Sequence, residues 1–281
     1  MVKVIAVIYM MCSMYIQNPQ IKEFEFFNEF NNIIVHGSEF PTNLFAPDET
    51  GEIGPPSQQE EAELTIDNFA DALKALGYYT NEYDSDDLNL RNAILRFQSD
   101  HNLVVDGIWG NISSSALEKR LSEKISPYVG EVLEPPSTGK WLALNKTKRI
   151  LTLYEGAKVI KKYPVAIGNP PSLTPEGKFT ILNKVINPAW GGGGYARPVP
   201  GGSPDNPLGY RWLGLSVGGG SIYGIHGNNS PWSIGKNVSR GCIRMINSDV
   251  EELFTQVPLG APVWIGTEEQ LDKWGITQKA Y

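Results

Sequence analysis

The stretch 222–245 opens Ile222-Tyr223-Gly224-Ile225-His226-Gly227 and closes Ser239-Arg240-Gly241-Cys242-Ile243-Arg244-Met245. It places His226 and Cys242 sixteen positions apart, in a chain with only three histidines and two cysteines. His36 and Cys12 fall in the N-terminal leader, and His101 in a separate helical segment. A Cys–His pair built within the C-terminal half is therefore Cys242 with His226. A thiol is a poor nucleophile until it becomes a thiolate, and an adjacent imidazole can take its proton. The same imidazole can return a proton to a leaving amine.

The neighbours of Cys242 suit that chemistry. Gly241 allows close backbone approach and unusual dihedrals. Backbone N–H groups at such a turn suit an oxyanion hole. Arg240 and Arg244 flank the thiol, where they favour thiolate and match a substrate carboxylate. A solitary cysteine is ordinarily a small buried hydrophobe, and a solitary histidine a satisfied structural residue. The Gly/Ser/Asn-rich setting argues the other way, because loops carry function more often than packing.

Ile225-His226-Gly227 followed by Ser239-Arg240-Gly241-Cys242-Ile243-Arg244-Met245 resembles the signature of the L,D-transpeptidase (YkuD) catalytic domain. Tyr163-Pro164-Val165-Ala166-Ile167-Gly168, Thr174-Pro175-Glu176-Gly177-Lys178-Phe179 and Asn206-Pro207-Leu208-Gly209 match further family segments in order. The resemblance covers 139–266. It implies a mostly β, sandwich-like catalytic domain with Cys242 as nucleophile and His226 as base. The orienting group it implies is a backbone carbonyl, that of Gly227. No Asp or Glu lies between Asp205 and Asp249 to act as a triad acid. Ser239, Arg240, Arg244 and Tyr223 are the expected substrate-binding residues. Position 240 is Arg where many members carry a second His, so a role for that side chain does not carry over.

Outward from this stretch, the chain of 281 residues is long enough for two domains. Its net charge of −7 hides an asymmetry. Residues 1–138 hold 8 Lys/Arg against 22 Asp/Glu, and 139–281 hold 16 against 9. A basic catalytic half attracts an anionic matrix or carboxylate-bearing substrates; two solvated surfaces of different sign are the plainer account. No basic run or basic-aromatic module points to nucleic acid. Two cysteines 230 positions apart make no disulfide framework. No metal or cofactor is implied, and a monomer is expected.

The leader 1–63 begins with Lys3 and a mostly apolar run, 4–16, like a short signal-peptide core. It is too short for an ordinary spanning helix. Export to the cell envelope, with cleavage or anchoring of the leader left open, is the expectation; a mis-assigned start is the alternative. The acidic, proline-bearing remainder reads as linker, with one short helix over 23–30.

Residues 64–125 show a three-helix pattern. Ile66, Phe69, Leu73 and Leu76 follow helical spacing up to Gly77; Leu90, Ala93, Ile94 and Phe97 mark a second helix; Ala116, Leu117, Leu121 and Ile125 a third. With Leu76-Gly77-Tyr78, Ala93-Ile94-Leu95-Arg96-Phe97-Gln98 and Val105-Asp106-Gly107-Ile108-Trp109-Gly110, the segment resembles the peptidoglycan-binding domain 1 family. Tyr79, Asp106 and Trp109 are the candidate contact residues, and His101 is a helix-end residue. A linker, 126–138, follows.

From Trp141 the period becomes two. Glu155-Gly156-Ala157-Lys158 reads as a hairpin turn, and 178–182, 221–225 and 262–265 as further strands. The glycine-rich loops 190–194 and 217–220 are walls or a lid near the site. After Cys242, Ser248 and Glu251 form a capping box for a helix with Val250, Leu253, Phe254 and Val257 on one face, making Asp249 a cap charge. The residues 267–281 form a C-terminal tail. Together the two resemblances imply a helical wall-binding module followed by a β catalytic domain that forms 3→3 peptidoglycan cross-links through a Cys thioester. The same site with water as acceptor would make a carboxypeptidase or endopeptidase. A non-catalytic wall-binding protein is the remaining alternative.

Overall fold

The structure, a computed structural model, describes residues 66–122, 128, 130–170 and 173–280. The leader, the 23–30 helix, Ile125 and most of the 126–138 linker's first residues lie outside them, as do His36 and Cys12. The chain divides into two compact units, Met1–Ala75 and Leu76–Tyr281.

In the first unit, helix α1 (Ile66–Ala75) buries Phe69 and Leu73, four residues apart on one face. In the second unit, Gly77 follows Leu76 at φ +79°, a backbone conformation glycine adopts freely.

Helix α2 (Asp86–Asp100) starts at Ser85, whose hydroxyl accepts the Leu88 N–H, and carries Asp86 and Asp87 in its first turn. It ends at His101, which stacks on Phe97 with ring centroids 4.0 Å apart. Ala93, Ile94 and Phe97 are buried as their spacing predicts, and so are Leu88 and Leu95. The extra burial has a cause outside the helix. Leu95 and Val105 form one apolar cluster with Ile150, Ala166, Ile234 and Ile246 of the β domain. Helix α3 (Asn111–Ser122) buries Ser113, Ala116 and Leu117.

The β domain is built from β2 (Lys140–Asn145), β3 (Ile150–Glu155), β4 (Lys158–Gly168), β5 (Gly177–Ile186), β6 (Arg211–Leu215), β7 (Gly224–His226), β8 (Asn237–Ser239), β9 (Ile243–Met245) and β10 (Pro262–Gly266). Their order is β3-β2-β10-β5-β6-β7-β9-β4-β8, and β3 also pairs with β4. That last pairing closes eight strands into a ring, with β8 attached outside to β4. The expected sandwich is therefore corrected to a closed barrel-like sheet. The cause is the hairpin at Gly156 (φ +56°), which pairs Glu155 with Lys158 and lets the long β4 bridge both edges. A short pair, β1 (Glu131–Val132) with β11 (Ile276–Thr277), lies apart from this ring.

The barrel is apolar inside and covered on much of its outside. Leu151 and Leu153 of β3 join Leu142, Val165, Leu213, Ile225 and Val263 in the main core. On the other face of β3, Tyr154 stacks on Trp141 at 4.4 Å in a second cluster with Trp264 and Leu271. This is why β3 is buried at five of six positions rather than alternating.

Two local expectations are corrected. The strand expected over 221–225 is confined to Gly224–His226, because residues 217–222 form turns with Gly218, Gly219 and Gly220 at positive φ. Helix α4 (Asn247–Gln256) has Ile246 at its N-cap and no side-chain cap, so the Ser248–Glu251 box is absent. Ser248 instead meets Arg96 at 3.2 Å, and Asp249 lies in the first turn as expected but is buried. The predicted apolar face holds: Val250, Leu253 and Val257 enter the main core, with Phe254 packed at its margin.

Candidate active site

His226 ends β7 and Cys242 directly precedes β9. The two strands run parallel and adjacent, with Ile225 opposite Ile243 and His226 opposite Arg244. The topology thus brings together residues sixteen positions apart. The loop between them follows from sequence: Pro231 cannot extend a strand and opens a single 3₁₀ turn, Pro231–Ser233.

The imidazole of His226 is fixed on two sides. Its Nδ1 lies 2.6 Å from the Gly227 carbonyl oxygen. That carbonyl can only accept, so Nδ1 carries the proton and Nε2 is left as the basic nitrogen. Trp212, the cross-strand partner of His226, stacks on the ring at 5.7 Å with planes 20° apart. Trp212 is held by Nε1–H donation to the Gly220 carbonyl at 3.0 Å. A side chain at Gly224 would collide with the Trp212 ring, which explains that glycine.

The Cys242 thiol lies 3.5 Å from the Ile222 carbonyl oxygen, to which it donates. Burial raises its pKa, against the Gly224 N–H and the Arg244 charge, which lower it. His226 is pushed down to about 4, chiefly by burial and further by Arg244, while its bond to Gly227 pulls upward. The pair at rest is therefore a neutral thiol and a neutral imidazole, not an ion pair.

The turn before Cys242 is closed by Ser239. Its hydroxyl donates to the Cys242 carbonyl at 2.6 Å and accepts the Gly241 N–H at 3.2 Å. Ser239 is buried, so its hydroxyl braces the turn rather than facing a ligand. Gly241 sits at φ +112°, and a Cβ there would come within 2.7 Å of the Tyr223 ring. Its N–H is already bonded to the Ser239 hydroxyl.

The two arginines separate. Arg244, half-buried, acts on both Cys242 and His226 through its charge. Arg240 is exposed and lays its guanidinium 3.4 Å above the centroid of Tyr195. Tyr195 directly follows the glycine-rich loop 190–194 expected to wall the site and contacts Trp190 edge-on at 5.6 Å. Among the described residues, no group of three or more His, Cys, Asp or Glu is placed to hold a metal ion.

Several residues at the site carried no sequence signal. Asn228 donates its side-chain N–H to the Met245 carbonyl at 2.7 Å and accepts the Ser230 N–H at 2.8 Å. Asn247 holds the backbone of Asn228 through two bonds. Gly209 packs against Gly227, Asn228 and Asn247 so closely that no Cβ fits. The Asn206–Gly209 match was the available hint: buried Asn206 donates to the Pro188 carbonyl and receives the Leu208 N–H, which shapes that turn.

The candidate contacts outside the β domain are used internally. Asp106 accepts from Gln98 Nε2 at 2.8 Å and from the Ile108 N–H, forming an Asx turn. Trp109 packs on Phe97 at 5.5 Å, and Tyr79 donates to Asp86 at 3.3 Å.

Known proteins are similar to this chain over two stretches. Residues 139–265 match the family described as "L,D-transpeptidase catalytic domain", and residues 66–117 match "Putative peptidoglycan binding domain". The chain is 45% identical over 143 residues to "Putative L,D-transpeptidase YqjB" of Bacillus subtilis, covering 50% of this chain and 79% of that protein. It is 38% identical over 153 residues to "Putative L,D-transpeptidase YkuD" of the same organism, covering 54% and 82%. The Escherichia coli relative "Probable L,D-transpeptidase YbiS" is 31% identical, with 47% of this chain and 46% of that protein aligned. Among solved structures, an L,D-transpeptidase (residues 123–326) from Xylanimonas cellulosilytica aligns with 62% of this chain and 78% of its own, at 21% identity and a TM-score of 0.45.

Proposed function

Because the chain belongs to the L,D-transpeptidase family, we propose that Cys242 is its nucleophile and His226 its general base. The protein is an acyltransferase with peptidoglycan as its substrate, and its two matched families suggest a cell-wall location. The observation that carries the site reading is the 2.6 Å contact between His226 Nδ1 and the Gly227 oxygen, which leaves Nε2 to receive the thiol proton.

The reaction runs from the neutral pair. His226 Nε2 takes the proton of Cys242 as sulfur attacks the carbonyl between an L-centre and the terminal D-alanine of a stem tetrapeptide. The Gly227 carbonyl stabilises the imidazolium that forms, and Arg244 the charge on sulfur as it develops. The oxyanion is proposed to take the Cys242 N–H, since that of Gly241 is bonded to Ser239. His226 then protonates the leaving D-alanine amine, and a thioester remains. The amine of a neighbouring stem attacks the thioester, loses its proton through His226, and frees the thiol with a new 3→3 cross-link.

Arg240 and Tyr195 form the candidate wall for the stem peptide, with Tyr223 against the Gly241 turn. The division we propose is a wall-binding segment over 64–125, a linker over 126–138 and a catalytic domain over 139–266 in a monomer exported by its leader. No helix among the described residues is long and apolar enough to cross a membrane.

The test is mass spectrometry of wild type and Cys242→Ala incubated with disaccharide tetrapeptide. A cross-linked dimer lacking one alanine, absent with the variant, is the expected result. Tripeptide alone would make water the acceptor, and no product from the wild type would overturn the reading.

A further inference from the structure

Beyond the Cys–His pair, the geometry points to Asn247 as the positioning residue that sets the imidazole of His226, acting through a single peptide plane. This inference rests on His226 being the base, as proposed above. Nothing in the sequence pattern marks Asn247, since it is the first residue of α4 and carries no reactive group.

The peptide that joins Gly227 to Asn228 links Asn247 to His226. A peptide unit is planar and, when trans, points its C=O and N–H in opposite directions. Here the C=O faces His226 Nδ1 at 2.6 Å. The N–H of the same unit, on Asn228, donates to Asn247 Oδ1 at 2.8 Å. Fixing one end of the plane fixes the other. Asn247 Nδ2 also donates to the Asn228 carbonyl at 3.0 Å, so the amide grips the backbone at two points and cannot swivel.

Two further observations support the assignment. A Cβ on Gly227 would collide with Asn247 Oδ1, so the amide sits directly against the peptide whose direction it sets. Asn247 itself is anchored, because it begins the helix whose Val250 and Leu253 are fully buried in the main core. A hydrogen bond to the N–H also polarises the amide, making its carbonyl a better acceptor for the Nδ1 proton. Asn247 thus favours the Nδ1–H tautomer and supports the imidazolium that forms as Cys242 gives up its proton. It acts on His226 through the backbone, not on substrate.

The experiment uses the full chain and needs no peptidoglycan. Iodoacetamide alkylation of Cys242 at pH 7 reports the activated thiol, and ¹⁵N resonances of the His226 ring report its tautomer. Asn247→Ala is expected to slow alkylation at least tenfold and to mix the two tautomers, with the fold retained by circular dichroism. Asn247→Asp keeps an acceptor for the Asn228 N–H but loses the donor, and is expected to keep the Nδ1–H tautomer. It also serves if the alanine variant fails to fold. Unchanged tautomer and alkylation rate in folded Asn247→Ala would overturn the inference, as would loss of the tautomer in folded Asn247→Asp. A wild-type Cys242 whose alkylation rate is unchanged by His226→Gln would instead sink the base–nucleophile reading itself, so the two failures are distinguishable.

Discussion

Arg96 of α2 and Asp249 of α4, 153 residues apart in sequence, meet as an ion pair with Nη2 2.9 Å from Oδ1. Their side chains are only 14% and 6% exposed, so neither charge is well hydrated. Burial raises the pKa of Asp249 and the Arg96 charge draws it back. Arg96→Ala leaves that carboxylate buried without its counter-charge and is expected to destabilise the second unit by about 3–5 kcal/mol. Urea denaturation checks this. Arg96→Met with Asp249→Leu, which removes both charges, is expected to recover most of the loss; a double variant as unstable as Arg96→Ala would contradict the desolvation account.

The pH dependence follows from the neutral resting pair. With His226 near 4, the imidazole remains free to accept the thiol proton down to about that pH. The thiol, raised by burial, stays protonated beyond the ordinary cysteine range. Alkylation of Cys242 is therefore expected to be level between those limits and to fall as pH drops through about 4. Arg244 lowers both groups, so Arg244→Gln is expected to move both limbs toward higher pH. Rate–pH profiles of the two proteins read the shift directly; limbs moving apart or downward would count against it.

Arg240 lies over the Tyr195 ring on the exposed side of the site. Its stacking is worth about 0.5–1 kcal/mol. Arg240→Ala is expected to raise KM a few-fold and to lower kcat far less than Cys242→Ala does. Steady-state kinetics on a tetrapeptide substrate would separate the two, and complete loss in a folded Arg240→Ala would assign Arg240 to the chemistry.

Gly209→Ala probes the packing beneath the site. A Cβ there would lie 2.8 Å from the Asn228 N and 2.9 Å from the Gly227 Cα, at a φ of +62°. Backbone cannot yield as a flexible side chain can, so the loop carrying Gly227 must move. The expected outcome is at least a hundredfold loss of activity with a loss of about 1–3 kcal/mol in stability, by analogy with overpacking elsewhere. An unaltered variant would show that this loop position does not control the site.

The parts of this protein that sequence made legible are local. Glu155-Gly156-Ala157-Lys158 declares a hairpin because its turn residues are contiguous, and the α4 face because apolar spacing is periodic. The nearness of Cys242 to His226 was legible through scarcity: three histidines and two cysteines left one pairing. What stayed hidden depends on distant partners. Leu95 falls outside the apolar face read for its helix, yet it is buried in a cluster that includes Ala166 and Ile246. The missing Ser248 cap reflects Arg96 reaching across to that serine. Trp212, Asn228 and Asn247 have no signature, because their roles arise only once β6, β7 and α4 converge. Barrel closure likewise rests on one strand, β4, pairing on both sides.

The two-sided burial of α2 bears on where this protein can be cut. A break at residue 139 looks natural from composition, yet it would strip Leu95 and Val105 from Ile150, Ala166, Ile234 and Ile246. Lys162, buried in β4, would lose the Asp100 carbonyl and the Asn102 side chain that it now contacts at 3.1 and 2.8 Å. Asp249 would lose Arg96. The isolated barrel would thus carry a raw apolar seam with two charges set into it, a surface suited to aggregation rather than to solution. A shortened catalytic fragment therefore has to begin before Leu88, not after the proline-rich linker.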